Sequence, residues 1–137
     1  MGYDPILVAE TRGWLAKAAE DLATADFELT AKPPFTADIA FHAQQAAEKC
    51  LKGFLTWNGQ TFRKTHSLEA IGEQCIGVDT TLAELIRSAT PLTEYAWKFR
   101  YPGELVKPDV KEAEEALATA RLVYKSILSR LPDEVSP

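Results

Sequence analysis

The sequence is poor in the residues that most often mark a chemical site. Its 137 residues include only two cysteines and two histidines. Cys50 and Cys75 form no CxxC pair, and no metal-ligand spacing links these four residues, so we expect no metal site. There is no glycine-rich phosphate loop either, and we expect no cofactor. A disulfide between the two cysteines stays open, but two buried thiols in a reducing cytoplasm fit the sequence better.

Long apolar runs are also missing. None approaches the roughly 20 residues that a membrane span requires, and the first residues lack the basic region and apolar stretch of a secretory signal. With 46% hydrophobic and 26% charged residues, the composition is that of a soluble globular protein. We therefore expect one cytoplasmic domain over residues 1–137, with its core at about 5–131, and no association with a membrane.

The charge balance is acidic, with a formal net charge of -5. This balance argues against broad, sequence-independent coating of nucleic acid. Local cations remain at Arg63 and Lys64, just before His66, and at Lys98 and Arg100 near the end of a helical pattern. These are the places where a phosphate could be held.

Apolar residues recur at three- and four-residue spacing through most of the chain, and no alternating strand pattern of useful length is present. The spacing predicts an all-α, up-and-down bundle of four long helices plus one short helix. The predicted helices run from about Asp4–Pro5 to Ala31, from Thr36 as N-cap to Trp57, from Ser67 to Cys75 (the short one), from Asp79 to Arg100, and from Pro108–Asp109 to Leu131. Pro91 should kink or break the fourth pattern, and the tail after Pro132 should fray.

The second predicted helix has a packing side and a polar side. Its small and apolar residues fall within one arc: Ile39, Ala43, Ala46, Ala47, Cys50, Gly53, Phe54 and Trp57. The other side carries His42, Gln45, Glu48, Lys49 and Lys52. One interpretation is a patch that binds a nucleotide or phosphate, with the lysines neutralising charge. The other is a solvated face on which Glu48 and Lys52 form an i,i+4 pair, and both stay open.

His66 and the Arg100–Tyr101 pair are the other candidate functional residues. His66 could satisfy backbone groups at a helix start that Thr65 or Ser67 caps, or it could take part in chemistry. Arg100 suits a helix end, where the dipole favours a cation. Tyr101 could stack on a base or a partner chain, or pack against the bundle. The three tryptophans, Trp14, Trp57 and Trp97, fit core or dimer anchors better than a base-stacking platform.

These residues together resemble the HEPN domain (higher eukaryotes and prokaryotes nucleotide-binding). The resemblance is carried by HAQQAAEKCLKGFL at 42–55, THSL at 65–68, RYP at 100–102 and WLAKAAEDL at 14–22. It covers about residues 10–131. The resemblance implies a bundle of four or five helices that commonly dimerises and that is often paired with a minimal nucleotidyltransferase. Many relatives are ribonucleases of defence and toxin systems, in which an arginine and a histidine four to six residues later form a composite site across the dimer.

The chain departs from that ribonuclease pattern. Residues 101–137 contain no histidine, so Arg100 has no histidine at the required spacing. Glu104 follows Arg100 by four residues, but a carboxylate with a pKa near 4 is a weak base at neutral pH. His66 is the remaining candidate base.

Three functions therefore compete. The first is a non-catalytic module that homodimerises, partners a minimal nucleotidyltransferase in a toxin–antitoxin-like or defence system, and presents nucleotide or nucleic acid to it. The second is a divergent ribonuclease that uses Arg100 with Glu104 or His66. The third is a stand-alone nucleotide-binding protein. The ligand-binding candidates are His42, Gln45, Lys49, Lys52, Arg100 and Tyr101.

Overall fold

A computed structural model describes residues 2–103 and 106–137. Its α-helices are α1 (Pro5–Leu29), α2 (Thr36–Trp57), α3 (Leu68–Val78), α4 (Ala83–Ala89) and α5 (Val110–Leu128), and short 3-10 helices span Thr80–Leu82, Thr90–Ala96 and Asp133–Val135. The described residues contain no strand, which confirms the all-α helical bundle. Within them, no helix has the length and apolarity needed to cross a membrane.

Helix α2 lies at the centre of the bundle. It packs against α1, α3, α5 and the 3-10 helix Thr90–Ala96. Small residues allow these close approaches: a Cβ atom built on Gly53 would lie 3.2 Å from the Cβ of Trp14 on α1. Because α2 has neighbours on several sides, its buried residues extend well beyond the single arc predicted from the sequence, and they include Ala40, Leu51 and Leu55.

Most helix ends follow their local sequence signals. Asp4, Ser67 and Asp109 cap α1, α3 and α5 by accepting hydrogen bonds from backbone amides. At the end of α2, Asn58 is the C-cap and Gly59 takes a left-handed φ of 69°. The prediction that Thr36 caps α2 is wrong, because Thr36 is the first helical residue and Phe35 occupies the cap position without a side-chain bond.

The fourth helical pattern is broken, as predicted. Asp79 caps a 3-10 turn that leads into α4, and α4 ends at Ala89. Pro91 lies in the first turn of the next 3-10 helix, because its missing amide hydrogen prevents the α-helix from continuing. Thr90 does not cap this new segment; its hydroxyl donates to the carbonyl oxygen of Ile86 at 2.8 Å.

The C-terminal segment is ordered, contrary to the predicted frayed tail. Helix α5 ends at Leu128, three residues before the predicted end, and the 3-10 helix Asp133–Val135 packs back against α1. Val135 is fully buried. Val135 is the one large apolar residue after Pro132, so this segment has no apolar periodicity from which the contact could be predicted.

The two cysteines are free and buried, as the sequence predicted. Burial raises the pKa of the Cys50 thiol, and it raises the pKa of the Cys75 thiol to about 12. Both thiols are therefore protonated at neutral pH, and they are poor candidates for metal binding or nucleophilic chemistry.

Candidate functional site

The polar residues of α2 form two clusters, each built around one carboxylate. We call the first the Asp21 cluster, which consists of Asp21, His42 and Lys49. Asp21 lies on the buried face of α1 and accepts hydrogen bonds from His42 Nδ1 at 2.9 Å and from Lys49 Nζ at 2.7 Å. His42 and Lys49 are seven residues apart, which places them two turns apart on one face of α2. One carboxylate on α1 thus fixes the rotation and register of α2.

Two further carboxylates face the other nitrogen of His42. Nε2 lies 3.4 Å from Asp38 Oδ2 and 3.9 Å from Glu28 Oε1. The hydrogen bond to Asp21 raises the pKa of His42 and outweighs the opposing effect of burial, while the charges of Asp38, Asp21 and Glu28 add to the rise. Burial, reinforced by a hydrogen bond with Asp38 and by its negative charge, raises the pKa of Glu28 to about 7, although the charge of His42 acts in the opposite direction. The two acids repel each other when both are charged, and each favours a proton on the other or on His42. The charge of Glu28, Asp38 and His42, which we call the His42 corner, therefore changes with pH near neutrality.

Arg100 is the cation next to Glu28, Asp38 and His42. Its Nη1 lies 3.8 Å from Asp38 Oδ1, and its guanidinium stacks over the ring of Phe41 at 3.6 Å from the centroid. The guanidinium thus contacts the first two turns of α2.

The Glu48 cluster, which consists of Gln44, Glu48, Lys52 and His66, lies farther along α2. The buried Glu48 carboxylate accepts from His66 Nδ1 at 2.8 Å, from Lys52 Nζ at 2.9 Å and from Gln44 Nε2 at 3.1 Å. The Gln44 amide also donates to the backbone oxygen of His66 at 3.2 Å. The cluster therefore ties the loop before α3 to the centre of the bundle.

Lys52 is further enclosed by aromatic rings. Its ammonium lies 5.6 Å from the Trp14 ring and 5.5 Å from the Phe62 ring, and the side chain is only 12% exposed. This position gives the ammonium cation–π contacts in addition to its ion pair with Glu48.

The environment of Glu48 has a consequence for stability at low pH. Burial alone would raise the pKa of Glu48, but the hydrogen bonds from Lys52, Gln44 and His66 outweigh it and hold the pKa below the ordinary value of 4.5. A carboxyl with a depressed pKa in the folded state contributes stability above its unfolded pKa, and that contribution is lost as the pH falls through its folded pKa.

We therefore expect Glu48→Gln, which resembles the protonated carboxyl, to be less stable than wild type at about pH 7 and to approach wild type as the pH falls below the ordinary carboxyl value of 4.5. Urea unfolding at each pH measures this difference. Glu84→Gln is the matched control, because the Glu84 side chain is 82% exposed. A Glu48→Gln difference that stays constant over this range would contradict the prediction.

The structure changes the interpretation of the polar side of α2. Glu48 is buried, whereas the helical wheel placed it on the polar side. Lys49 and Lys52 are 23% and 12% exposed, and each forms an ion pair with an internal carboxylate. Gln45 is half-buried and donates to Gln44 Oε1 at 2.6 Å. The polar groups of the candidate ligand-binding residues on α2 thus form hydrogen bonds and ion pairs within the fold.

Asp21 and Gln44 are central to the two clusters, although the sequence-based prediction did not include them. Asp21 sits within the apolar stripe of α1, next to Leu22 and between Ala18 and Ala25, and Gln44 sits among the alanines of α2. A charged or amide residue inside an apolar stripe signals a buried, partnered polar group, and this signal was available.

His66 differs from the predicted backbone role. Ser67 caps α3, and Thr65 Oγ1 accepts from the Ser67 amide at 3.1 Å, so the helix start is satisfied without the imidazole. The ring instead donates through Nδ1 to Glu48, while 63% of the side chain is exposed. A histidine held by a buried carboxylate with its other nitrogen outward is the arrangement used in acid–base chemistry.

The structure does not bring Arg100 and His66 together. Arg100 contacts α2 at Asp38 and Phe41, and His66 contacts it at Glu48. Seven to ten residues of helix separate these points, which corresponds to about 10 to 15 Å along the axis. The candidate base Glu104 lies outside the described residues.

Several exposed apolar side chains lie in the segments that flank Arg100 and its partner Asp38 along the chain, while Tyr3 and Phe27 are exposed before and on α1. Tyr101 is 68% exposed, and Phe35, Trp97 and Val106 are exposed as well. Lys107 borders the same surface as the 33–38 turn. We call Phe35, Tyr101 and Val106, which neighbour Asp38, Arg100 and Lys107 along the chain, the aromatic end. Trp14 and Trp57, by contrast, are half-buried against Phe62 and Tyr3.

These features define a helical-bundle domain whose central helix is held by two buried charge clusters. The HEPN domain family model matches residues 11–131. The chain belongs to the HEPN domain family, as the sequence predicted, and its family is one of nucleotide- and RNA-associated domains. Comparisons with curated proteins and with solved structures give no match.

Proposed function

We propose that this HEPN domain is a non-catalytic interaction module that homodimerises and partners a minimal nucleotidyltransferase, to which it presents nucleotide or nucleic acid. A toxin–antitoxin-like or defence system is the setting that the family resemblance implies. The observation that supports a non-catalytic role best is the commitment of the α2 lysines, Lys49 and Lys52, to internal carboxylates. A free phosphate-binding or cleavage centre would need some of these groups available.

The arrangement of cation and base also favours this role. Metal-independent RNA cleavage needs a cation and a titrating base at one phosphodiester. Arg100 and His66 contact α2 about 10 to 15 Å apart, and residues 101–137 contain no histidine. One protomer therefore lacks the pair that the family's ribonucleases use.

The aromatic end supports association with another protein. Its exposed aromatic and apolar side chains lie beside the cations Arg100 and Lys107. Aromatic residues and arginine are the groups most enriched at the centres of protein interfaces.

Co-expression with the products of the neighbouring genes tests the proposal, which requires that one of them is a minimal nucleotidyltransferase. We expect a stable complex by size-exclusion chromatography with light scattering, and a dimer of the chain when it is purified alone. Tyr101→Ala should weaken the complex at least tenfold, whereas Ile6→Ala, an exposed apolar residue at the start of α1, should not. A monomer that captures no nucleotidyltransferase would overturn the proposal.

A ribonuclease is the second candidate, and the pairing of His66 with Glu48 is the observation that favours it. Incubation of the purified chain with labelled RNA separates the two functions. The first proposal predicts no cleavage. Cleavage that His66→Ala and Arg100→Ala each abolish would establish the second.

A further inference from the structure

The turn between α1 and α2 gathers three side chains that can bind a metal ion. One carboxylate oxygen each from Glu28 and Asp38 and a ring nitrogen of His42 lie within 4.8 Å of one another. We propose that these three residues bind one divalent transition-metal ion. The sequence spacing does not reveal this set, because Glu28 precedes the Pro33–Pro34 turn and the other two residues follow it.

The separations suit a shared ion. Ligand bonds of about 2.1 Å place neighbouring ligand atoms about 3.0 to 3.4 Å apart in octahedral or tetrahedral geometry. His42 Nε2 lies 3.4 Å from Asp38 Oδ2 and 3.9 Å from Glu28 Oε1. Small side-chain rotations would therefore complete three sites of a coordination sphere, and water or a ligand would occupy the rest.

His42 is oriented as metal-binding histidines are. Nδ1 donates to Asp21, and Asp21 is itself held by Lys49 at 2.7 Å. A carboxylate on one ring nitrogen fixes the tautomer, so that the other nitrogen presents its lone pair to the metal. In this structure Nε2 faces Glu28 and Asp38, and a metal ion would displace any proton that it carries.

One of the three proposed ligand atoms is a buried oxygen that receives no hydrogen bond. Glu28 Oε1 has no donor partner among the described residues, and the Glu28 side chain as a whole is 15% exposed. Buried carboxylate oxygens are rarely left in this state, because losing their hydration without compensation is unfavourable. A metal ion at the centre of the three ligands would satisfy this oxygen.

The two nearby cations, Arg100 and Lys49, do not occupy the proposed ligand atoms. Arg100 Nη1 lies near Asp38 Oδ1 and leaves Oδ2 toward His42, and Lys49 is neutralised by Asp21. Asp38 is 43% exposed, which provides a route to solvent. One imidazole and two carboxylates suit Zn²⁺, Co²⁺ or Mn²⁺ better than Mg²⁺ or Ca²⁺, which prefer oxygen ligands alone.

Zinc titration of the full metal-free chain at about pH 7.5 tests the proposal. Calorimetry should find one site per chain, with Zn²⁺ bound more tightly than Mn²⁺ and Mn²⁺ more tightly than Mg²⁺. Glu28→Gln should weaken zinc binding at least tenfold. Asp21→Asn, which weakens the support of His42 and also changes the partner of Lys49, should weaken it by about 10- to 100-fold while the chain stays folded. Glu84→Gln is the exposed control and should bind as wild type does.

Nitrogen NMR of the two histidine rings gives a readout on the unaltered chain. One equivalent of Zn²⁺ should move the Nε2 signal of His42 and leave the ring signals of His66 in place. The proposal is overturned if one equivalent leaves His42 unchanged, if His66 alone responds, or if Glu28→Gln binds zinc as tightly as wild type.

Discussion

Asp21→Ala is expected to lower the free energy of unfolding by about 3 kcal/mol, which is the lower end of the cost of breaking a buried ion pair. The substitution leaves Lys49 and His42 without their shared acceptor, and Lys49 is only 23% exposed. The helix itself is not weakened, because alanine is the best helix former. For a chain of this size the melting temperature should fall by roughly 10 °C.

Asp26→Ala on the same helix is the matched control. Asp26 pairs with Arg121, and both side chains are 49% exposed. Exposed pairs contribute about 0 to 1 kcal/mol. Chemical unfolding of both variants compares them directly, and equal losses would show that Asp21 does not act as a buried anchor.

Glu48→Ala is expected to have a similarly large effect, about 3 kcal/mol. It removes the acceptor of the Lys52 ammonium and one acceptor of the Gln44 amide, which is fully buried. An unpartnered buried donor retains the full penalty of its lost hydration. It also frees the imidazole of His66, so the loop before α3 should become more mobile.

Thermal unfolding measures the stability loss, and amide hydrogen exchange at residues 62–67 measures the loop. Glu84→Ala, which removes only an exposed pair with Arg87, should stay within about 0.5 kcal/mol of wild type. Unchanged stability in Glu48→Ala would show that Lys52 and Gln44 find other partners.

The fold was largely predictable from local signals. The caps Asp4, Ser67 and Asp109 and the break at Pro91 are encoded in residues that act within one helical turn. The errors came from long-range contacts. The packing of Val135 against α1 depends on where the chain returns, which periodicity does not report.

The candidate site was predictable only in part. The sequence placed His42, Lys49 and Lys52 on one face of α2, but the structure divides them between two clusters. Asp21 on α1 holds His42 and Lys49, whereas Glu48 on α2 holds Lys52 and also pairs with His66. A helical wheel divides one helix into two sides, whereas α2 is surrounded by several elements. Lysines on its polar side therefore meet buried carboxylates rather than solvent.

We infer that the cations of α2 stabilise the fold and do not form a free nucleotide-binding patch. Thermal unfolding of wild type, Lys49→Ala and Lys52→Ala, with and without millimolar ATP, separates these two roles. We predict that both variants unfold at lower temperature than wild type, and that ATP shifts all three proteins equally. A ligand at 100 times its Kd would add about 2.7 kcal/mol. Variants that unfold at the wild-type temperature but lose an ATP-induced shift in that temperature would contradict this inference.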